Sequence, residues 1–251
     1  MIEMENENRK KIYQETKKYY LSKKIPIYES IKYTYSKIGN INNKMYDSKI
    51  NIYNMDTIDC AIMLKTKYDY SICILNMANP YYAGGGVEKG AIAQEESIFR
   101  RSNYFQTLEQ TMYPIKNNEL IYSPIVDVSR KSEKDLFTFY DKSYQFSFIG
   151  ACAPINPDIS NENYYKYYYL MYNKICHILN IALMNNHDCI LLGALGCGAF
   201  NNPPHVVACV FKEVLQHYKG CFKEIAFAIL KDAYGKSELP DNYDIFRLIL
   251  L

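Results

Sequence analysis

The chain carries little net charge: 29 lysines and arginines nearly offset 27 aspartates and glutamates, leaving +2 over 251 residues. That balance argues against a dedicated electrostatic grip on duplex nucleic acid. The eight cysteines contain no Cys-x2-Cys pair and the four histidines show no ligand spacing, so no metal is expected. No run approaches about eighteen apolar residues, and the polar N-terminus has no apolar signal core. Neither a membrane span nor an export leader is therefore expected. No Gly-Lys-Ser/Thr follows a glycine-rich stretch, and Gly196-Cys197-Gly198 stops two glycines into a dinucleotide fingerprint. A Gly-x-Ser-x-Gly elbow is also missing. These absences set aside NTPase, dehydrogenase and serine-hydrolase chemistry, and no cofactor is expected.

What is present is enough apolar material for a full core, with 49% hydrophobic and 22% charged residues. Most cysteines lie inside apolar runs such as Ile72-Cys73-Ile74, where a free thiol packs as a small core residue. That usage fits a reducing, intracellular compartment, cytoplasmic or nuclear. No repeat or linker-like shift divides the chain. A single domain over 1–251 is expected, an N-terminal extension (1–48) followed by a core (49–251), working as a monomer.

Read in order, residues 1–8 are polar and expected to fray, and 10–21 pattern as a helix. The lysines at 10, 11, 17, 18, 23 and 24 suit a solvated face or a polyanionic partner. Strands are expected over 31–38, 50–53, 71–75, 120–122, 125–128, 145–152, 189–193 and 223–230. Helices are expected over 58–65, from Gln94 through Leu108, over 164–185, from Pro203 as a first-turn residue and over 241–251. Residues 129–143 read as a charged surface turn, and Arg100 and Arg101 as pointing away from the apolar stripe. Asp56 or Thr57 sits where a strand meets a helix, an N-cap position, and Asn202 reads as another. Strand and helix alternate, so the expected class is α/β, a sheet sandwiched between helical layers.

The chain is organised around 76–105. An apolar strand feeds Asn79 and three successive glycines, Gly84, Gly85 and Gly86; seven residues later Gln94-Glu95-Glu96 opens a helix. Glycine lets a ligand approach backbone amides, so Gly84 to Gly86, with Val87, are candidates to lie against a phosphate. A second strand, glycine loop and helix unit follows at Gly196-Cys197-Gly198-Ala199-Phe200. Two such loops ending buried strands put a ligand at the carboxyl edge of the sheet. Adjacent glutamates on a helix point about 100° apart, so Glu95 and Glu96 cannot flank one bond as a glycosidase pair does. One must handle the proton while the other does something else.

Gly-Gly-Gly-x7-Gln-Glu-Glu, with Leu-Asn-Met-Ala-Asn before it, Ser-Ile-Phe-Arg-Arg-Ser after it and the second glycine loop, resembles the microbial-type poly(ADP-ribose) glycohydrolases of the macrodomain superfamily. The resemblance spans roughly 51–230. It implies a three-layer α/β/α macrodomain with a mixed central sheet and an N-terminal helical extension. It further implies cleavage of ribose–ribose O-glycosidic bonds from the chain end, with no metal. Glu96 would be the acid and base, Glu95 would hold ribose hydroxyls and Asn79 would contact the ribose. Gln94 would support the loop. The second loop would grip a phosphate, with Phe200 either stacking on the terminal ribose or anchoring the loop. Asp56 would receive the adenine amino group. Poly(ADP-ribose), ADP-ribose and ADP-ribosylated proteins are the implied partners. A non-catalytic ADP-ribose reader and a mono-ADP-ribosyl hydrolase stay open as alternatives.

Overall fold

The computed structural model describes residues 2–35, 45–231 and 240–251. Helix α1 (Ile2–Ser22) and strands β1 (Ile31–Thr34) and β2 (Lys49–Tyr53) lead into helix α2 (Thr57–Tyr68) and strand β3 (Ile72–Met77). Helices α3 (Gln94–Arg101) and α4 (Tyr104–Thr107) precede strands β4 (Glu119–Arg130) and β5 (Phe139–Ala151). Then come α5 (Asn161–Met184), β6 (Cys189–Leu192), α6 (Pro204–His217), β7 (Glu224–Ala228) and α7 (Asn242–Leu250). The seven strands form one mixed sheet, ordered β1-β4-β5-β3-β6-β7-β2; β1, β4 and β5 pair antiparallel and the remaining neighbours parallel.

The central strands are buried on both faces, which is why they read as unbroken apolar runs. Their side chains alternate between two cores. Cys73, Leu75, Ile190, Leu192, Ile225 and Phe227 join the core formed with α5, α6 and α7. Ile72, Ile74, Cys189, Leu191 and Ala226 join the core that holds Ile58, Leu64, Ile98 and Phe99 of α2 and α3. The result is a three-layer α/β/α domain. Among the described residues no helix is long and apolar enough to cross a membrane.

Several local expectations need correction. Helix α1 begins at Ile2 and not near Lys10, because its first turns are docked. Gly90 leaves room for it, since a Cβ there would lie 2.4 Å from the Asn6 carbonyl oxygen, and Arg9 pairs with Glu133 at 2.9 Å. The strand expected over 31–38 ends at Thr34, and 36–38 lie outside the described residues. Pro124 does not break β4; a register shift between Ser123 and Val126 absorbs it. The expected turn over 129–143 is confined to 131–138, because β4 runs on to Arg130 and β5 starts at Phe139. The central helix stops at Arg101, where Ser102 bridges to Val128.

Arg100 and Arg101 are almost fully buried. Arg101 is tied to Asp56 (2.5 Å), Asp59 (2.7 Å) and the Arg130 carbonyl (3.0 Å), so its charge is paired inside the fold. Arg100 donates to the Ala91 carbonyl at 2.7 Å.

Candidate active site at the carboxyl edge of the sheet

Strand β3 ends at Met77 and the chain turns sharply. Asn79 makes the turn: its Oδ1 accepts the amides of Tyr81 (2.8 Å) and Tyr82 (3.2 Å). Gly84 (φ +79°) and Gly85 (φ +52°) then adopt the left-handed backbone that disfavours a side chain. A Cβ on Gly84 would lie 2.6 Å from the Phe99 ring, and one on Gly85 would lie 2.6 Å from Oε1 of Glu96. The glycines are needed because the loop is pressed onto α3.

The hydrogen bonds of this loop correct the expectation that its amides face a phosphate. The Gly84 amide donates to Glu95 Oε1 (3.3 Å) and the Gly86 amide to Glu96 Oε1 (2.8 Å). Those of Gly85 and Val87 donate to the carbonyls of Tyr82 and Gly84. All four are engaged within the protein, so the loop buttresses the two carboxyls.

Glu95 and Glu96 are 3% and 7% exposed but differently bonded. Glu95 accepts from Asn76 Nδ2 (3.2 Å), the Asn79 amide (2.7 Å) and the Gly84 amide. Burial nevertheless pushes its carboxyl up to about 8, outweighing those donors, and the neighbouring Glu96 charge acts in the same direction. Glu96 has one oxygen on the Gly86 amide, while Oε2 is buried without a partner among the described residues. An unpaired buried oxygen of this kind is rare in native structures. Gln94 stitches β3 to α3: its Oε1 accepts the Met77 amide (2.9 Å), and its Nε2 donates to the Leu75 carbonyl (2.7 Å).

The second loop is built the opposite way. Gly196 (φ +77°) packs where a Cβ would strike Ala153 and Asn202. Asn202 does not cap α6; Pro203 takes that position. The buried Asn202 side chain instead donates to the carbonyls of Pro154 (2.8 Å), Gly196 (3.1 Å) and Phe200 (3.2 Å), and its oxygen accepts from Tyr167 Oη (2.9 Å). The loop is thus held through its carbonyls. Among the described residues the amides of Gly198, Ala199 and Phe200 have no acceptor, and Gly198 and Ala199 are exposed. Phe200 is half-buried against the α5–α6 core and borders the cleft. The Cys197 thiol is pushed upward by burial.

A cleft of about 580 Å³ runs along this edge, bordered by Met55, Asp56, Gln94, Ala194, Gly198 and Ile229. A smaller pocket of about 80 Å³ continues past Gln94 and Ala194 to Gly196 and Phe200. Gln94 and Ala194 border both, so the helix start after the first loop and the second loop face one channel. Glu95, Glu96, Asn79 and the first-loop glycines line neither cavity; the two carboxyls face the first loop, whose Gly84 and Gly86 amides they accept. Asp56 is an N-cap, accepting the amides of Ile58 (2.9 Å) and Asp59 (3.1 Å), and it also borders the cleft. Arg9 and Asn76 escaped the sequence reading, while Asn202 read as a helix cap and 132–137 as part of a surface turn, neither with a place at the site. Of the first two, only Asn76, a polar residue ending an apolar strand, left a signal.

The fold and the site together define a macrodomain: a three-layer α/β/α sandwich with a glycine loop bordering a cleft at the carboxyl edge of its mixed sheet. The chain belongs to the microbial-type PARG (poly(ADP-ribose) glycohydrolase) catalytic domain family, whose model matches residues 4–131. The Thermomonospora curvata poly(ADP-ribose) glycohydrolase bound to the inhibitor ADP-HPD is 25% identical, with a TM-score of 0.72 over 80% of this chain and 78% of that one. The Deinococcus radiodurans enzyme in complex with ADP-ribose is 28% identical, with a TM-score of 0.71 over 82% and 85%. A further T. curvata structure, 21% identical, shares the fold over 96% of this chain and 98% of that one, at a TM-score of 0.79. A comparison with curated protein sequences returns no match.

Proposed function

We propose that this protein is a poly(ADP-ribose) glycohydrolase that hydrolyses ribose–ribose O-glycosidic bonds, releasing ADP-ribose from the chain end. The observation that carries the reading is Glu96 Oε2, a buried carboxyl oxygen with no partner among the described residues, in the same first helical turn as Gln94, which borders the channel. Glu95, whose oxygens already accept three N–H groups, acts as a fixed neighbour and holds ribose hydroxyls. The Met55–Asp56 end of the cleft takes the adenosine, with Asp56 receiving the adenine amino group. The free amides at Gly198 to Phe200 take a phosphate, and Phe200 flanks the terminal ribose, with Asn79 beside the reacting carbon.

Protonated Glu96 donates to the departing ribose oxygen as the bond from that oxygen to the anomeric carbon breaks. The oxocarbenium-like carbon is stabilised by the diphosphate folded beside it. The Glu96 carboxylate then takes a proton from the attacking water, whose oxygen forms the new bond, and the acid is regenerated. The single domain works as a monomer and requires neither metal nor cofactor. We assign it to the cell interior, cytoplasmic or nuclear, because Cys60, Cys73, Cys152, Cys176, Cys189 and Cys221 are buried free thiols.

The test is Glu96→Gln beside wild type, incubated with poly(ADP-ribose) and assayed for free ADP-ribose. The variant should bind ADP-ribose normally and lose about 10²–10⁴-fold in turnover, the usual worth of a general acid–base. Near-normal turnover in the variant would remove Glu96 from the mechanism. Binding without turnover in wild type would leave a reader.

A further inference from the structure

We infer that Tyr81 and Tyr82 form a second subsite, a stacking platform for the adenine of the departing polymer unit; this rests on the glycohydrolase reading above. Cleaving a ribose–ribose bond requires two units to be held. The cleft from Asp56 to Gly198 accounts for one, and no residue of the Asn79–Gly86 turn lines it. The other unit leaves on the oxygen that Glu96 protonates, and the segment packed against the Glu96 carboxyl is this turn, through Gly85 and the Gly86 amide.

The turn is rigid. Its Asn79 amide is held by Glu95, Asn79 Oδ1 holds the amides of Tyr81 and Tyr82, and the carbonyls of Pro80 and Tyr82 accept from Ile115 (2.8 Å) and Gly85 (3.1 Å). Yet its two rings are left in solvent, Tyr81 57% and Tyr82 64% exposed. Their centroids are 6.4 Å apart and the planes are inclined by 53°, so neither ring covers the face of the other. An open aromatic face on a pinned backbone binds a base without an ordering cost, and every unit of the polymer carries an adenine.

The experiment uses the full chain with Tyr81→Ala/Tyr82→Ala, the matching Tyr→Phe pair, and Tyr165→Ala/Tyr169→Ala as a control. Tyr165 and Tyr169 are equally exposed tyrosines, 70% and 63%, carried instead on α5. Steady-state kinetics on poly(ADP-ribose) should show KM raised on the order of tenfold in the alanine pair. Calorimetry should show its Kd for free ADP-ribose unchanged. The phenylalanine pair, which keeps the stacking faces, and the α5 control should both match wild type. An unchanged polymer KM in the alanine pair, or an equal weakening of ADP-ribose, overturns the subsite while wild-type turnover keeps the glycohydrolase reading intact. Wild type releasing no ADP-ribose from polymer overturns both.

Discussion

The two glycine loops look alike as sequence, each a strand running into small residues and then a helix, but they are wired in opposite directions. In the first, the amides of Gly84 to Val87 all point inward, two of them onto Glu95 and Glu96. In the second, Asn202 gathers the carbonyls of Pro154, Gly196 and Phe200, and the amides of Gly198 to Phe200 are left facing outward. Glycine serves close approach in both, to a carboxyl at Gly85 and to the Ala153 and Asn202 side chains at Gly196. Glycine content therefore marks where backbone meets something closely, without saying what.

The contrast can be broken most sharply at Gly85. A Cβ there meets Glu96 Oε1 at 2.6 Å on a left-handed backbone. Gly85→Ala should displace the acid and lower kcat by roughly 10²-fold, the scale of a misplacement of about 1 Å, with ADP-ribose affinity retained. Titrating ADP-ribose beside a turnover assay checks both halves. A loss confined to affinity would make the first loop a ligand grip after all.

Gly198 should behave in the reverse sense. It is exposed and does not belong to the positive-φ glycines, so alanine is tolerated by the free protein. A methyl group there intrudes between the amides and the anion they would hold, so Gly198→Ala should weaken ADP-ribose about tenfold. That is roughly 1.4 kcal/mol, with the melting temperature unchanged. Calorimetric titration and a thermal melt decide it.

A further effect, on stability and not on turnover or affinity, concerns the buttressed carboxyl itself. Burial raises Glu95 to about 8 in the folded state against 4.5 for an unperturbed glutamate. The folded protein then holds a proton that the unfolded chain has released. Its stabilising contribution is complete below about pH 4.5 and is lost as pH rises through about 8, at up to roughly 1.4 kcal/mol per pH unit. Denaturant melts of wild type and Glu95→Gln between pH 5 and 8 should diverge with that slope, the variant being the flatter. Parallel curves would mean that the three N–H donors outweigh burial.

Much of the architecture was legible because it follows from local patterns. Buried strands such as Cys189–Leu192 are apolar on both faces, and α5 shows its stripe through Met171, Ile175, Ile178 and Leu179. What misled were residues whose role depends on distant partners. Arg100 and Arg101 read as pointing away from the apolar stripe, but Asp56, which caps α2, and Asp59 within it receive the buried guanidinium of Arg101. Asn202 has the composition of a helix cap and instead braces a loop.

By itself the sequence determined that strands alternate with helices, that two of those strands end in glycine-permitted bends, and that neighbouring glutamates open the helix after the first bend. These follow from periodicity and from which residue types tolerate which backbone. Only the tertiary structure decided where each bend directs its amides and which carboxyl oxygen goes unclaimed. Hydrogen-bond direction depends on partners brought together from 76–86, 94–96, 154 and 202, and no local spacing encodes that meeting.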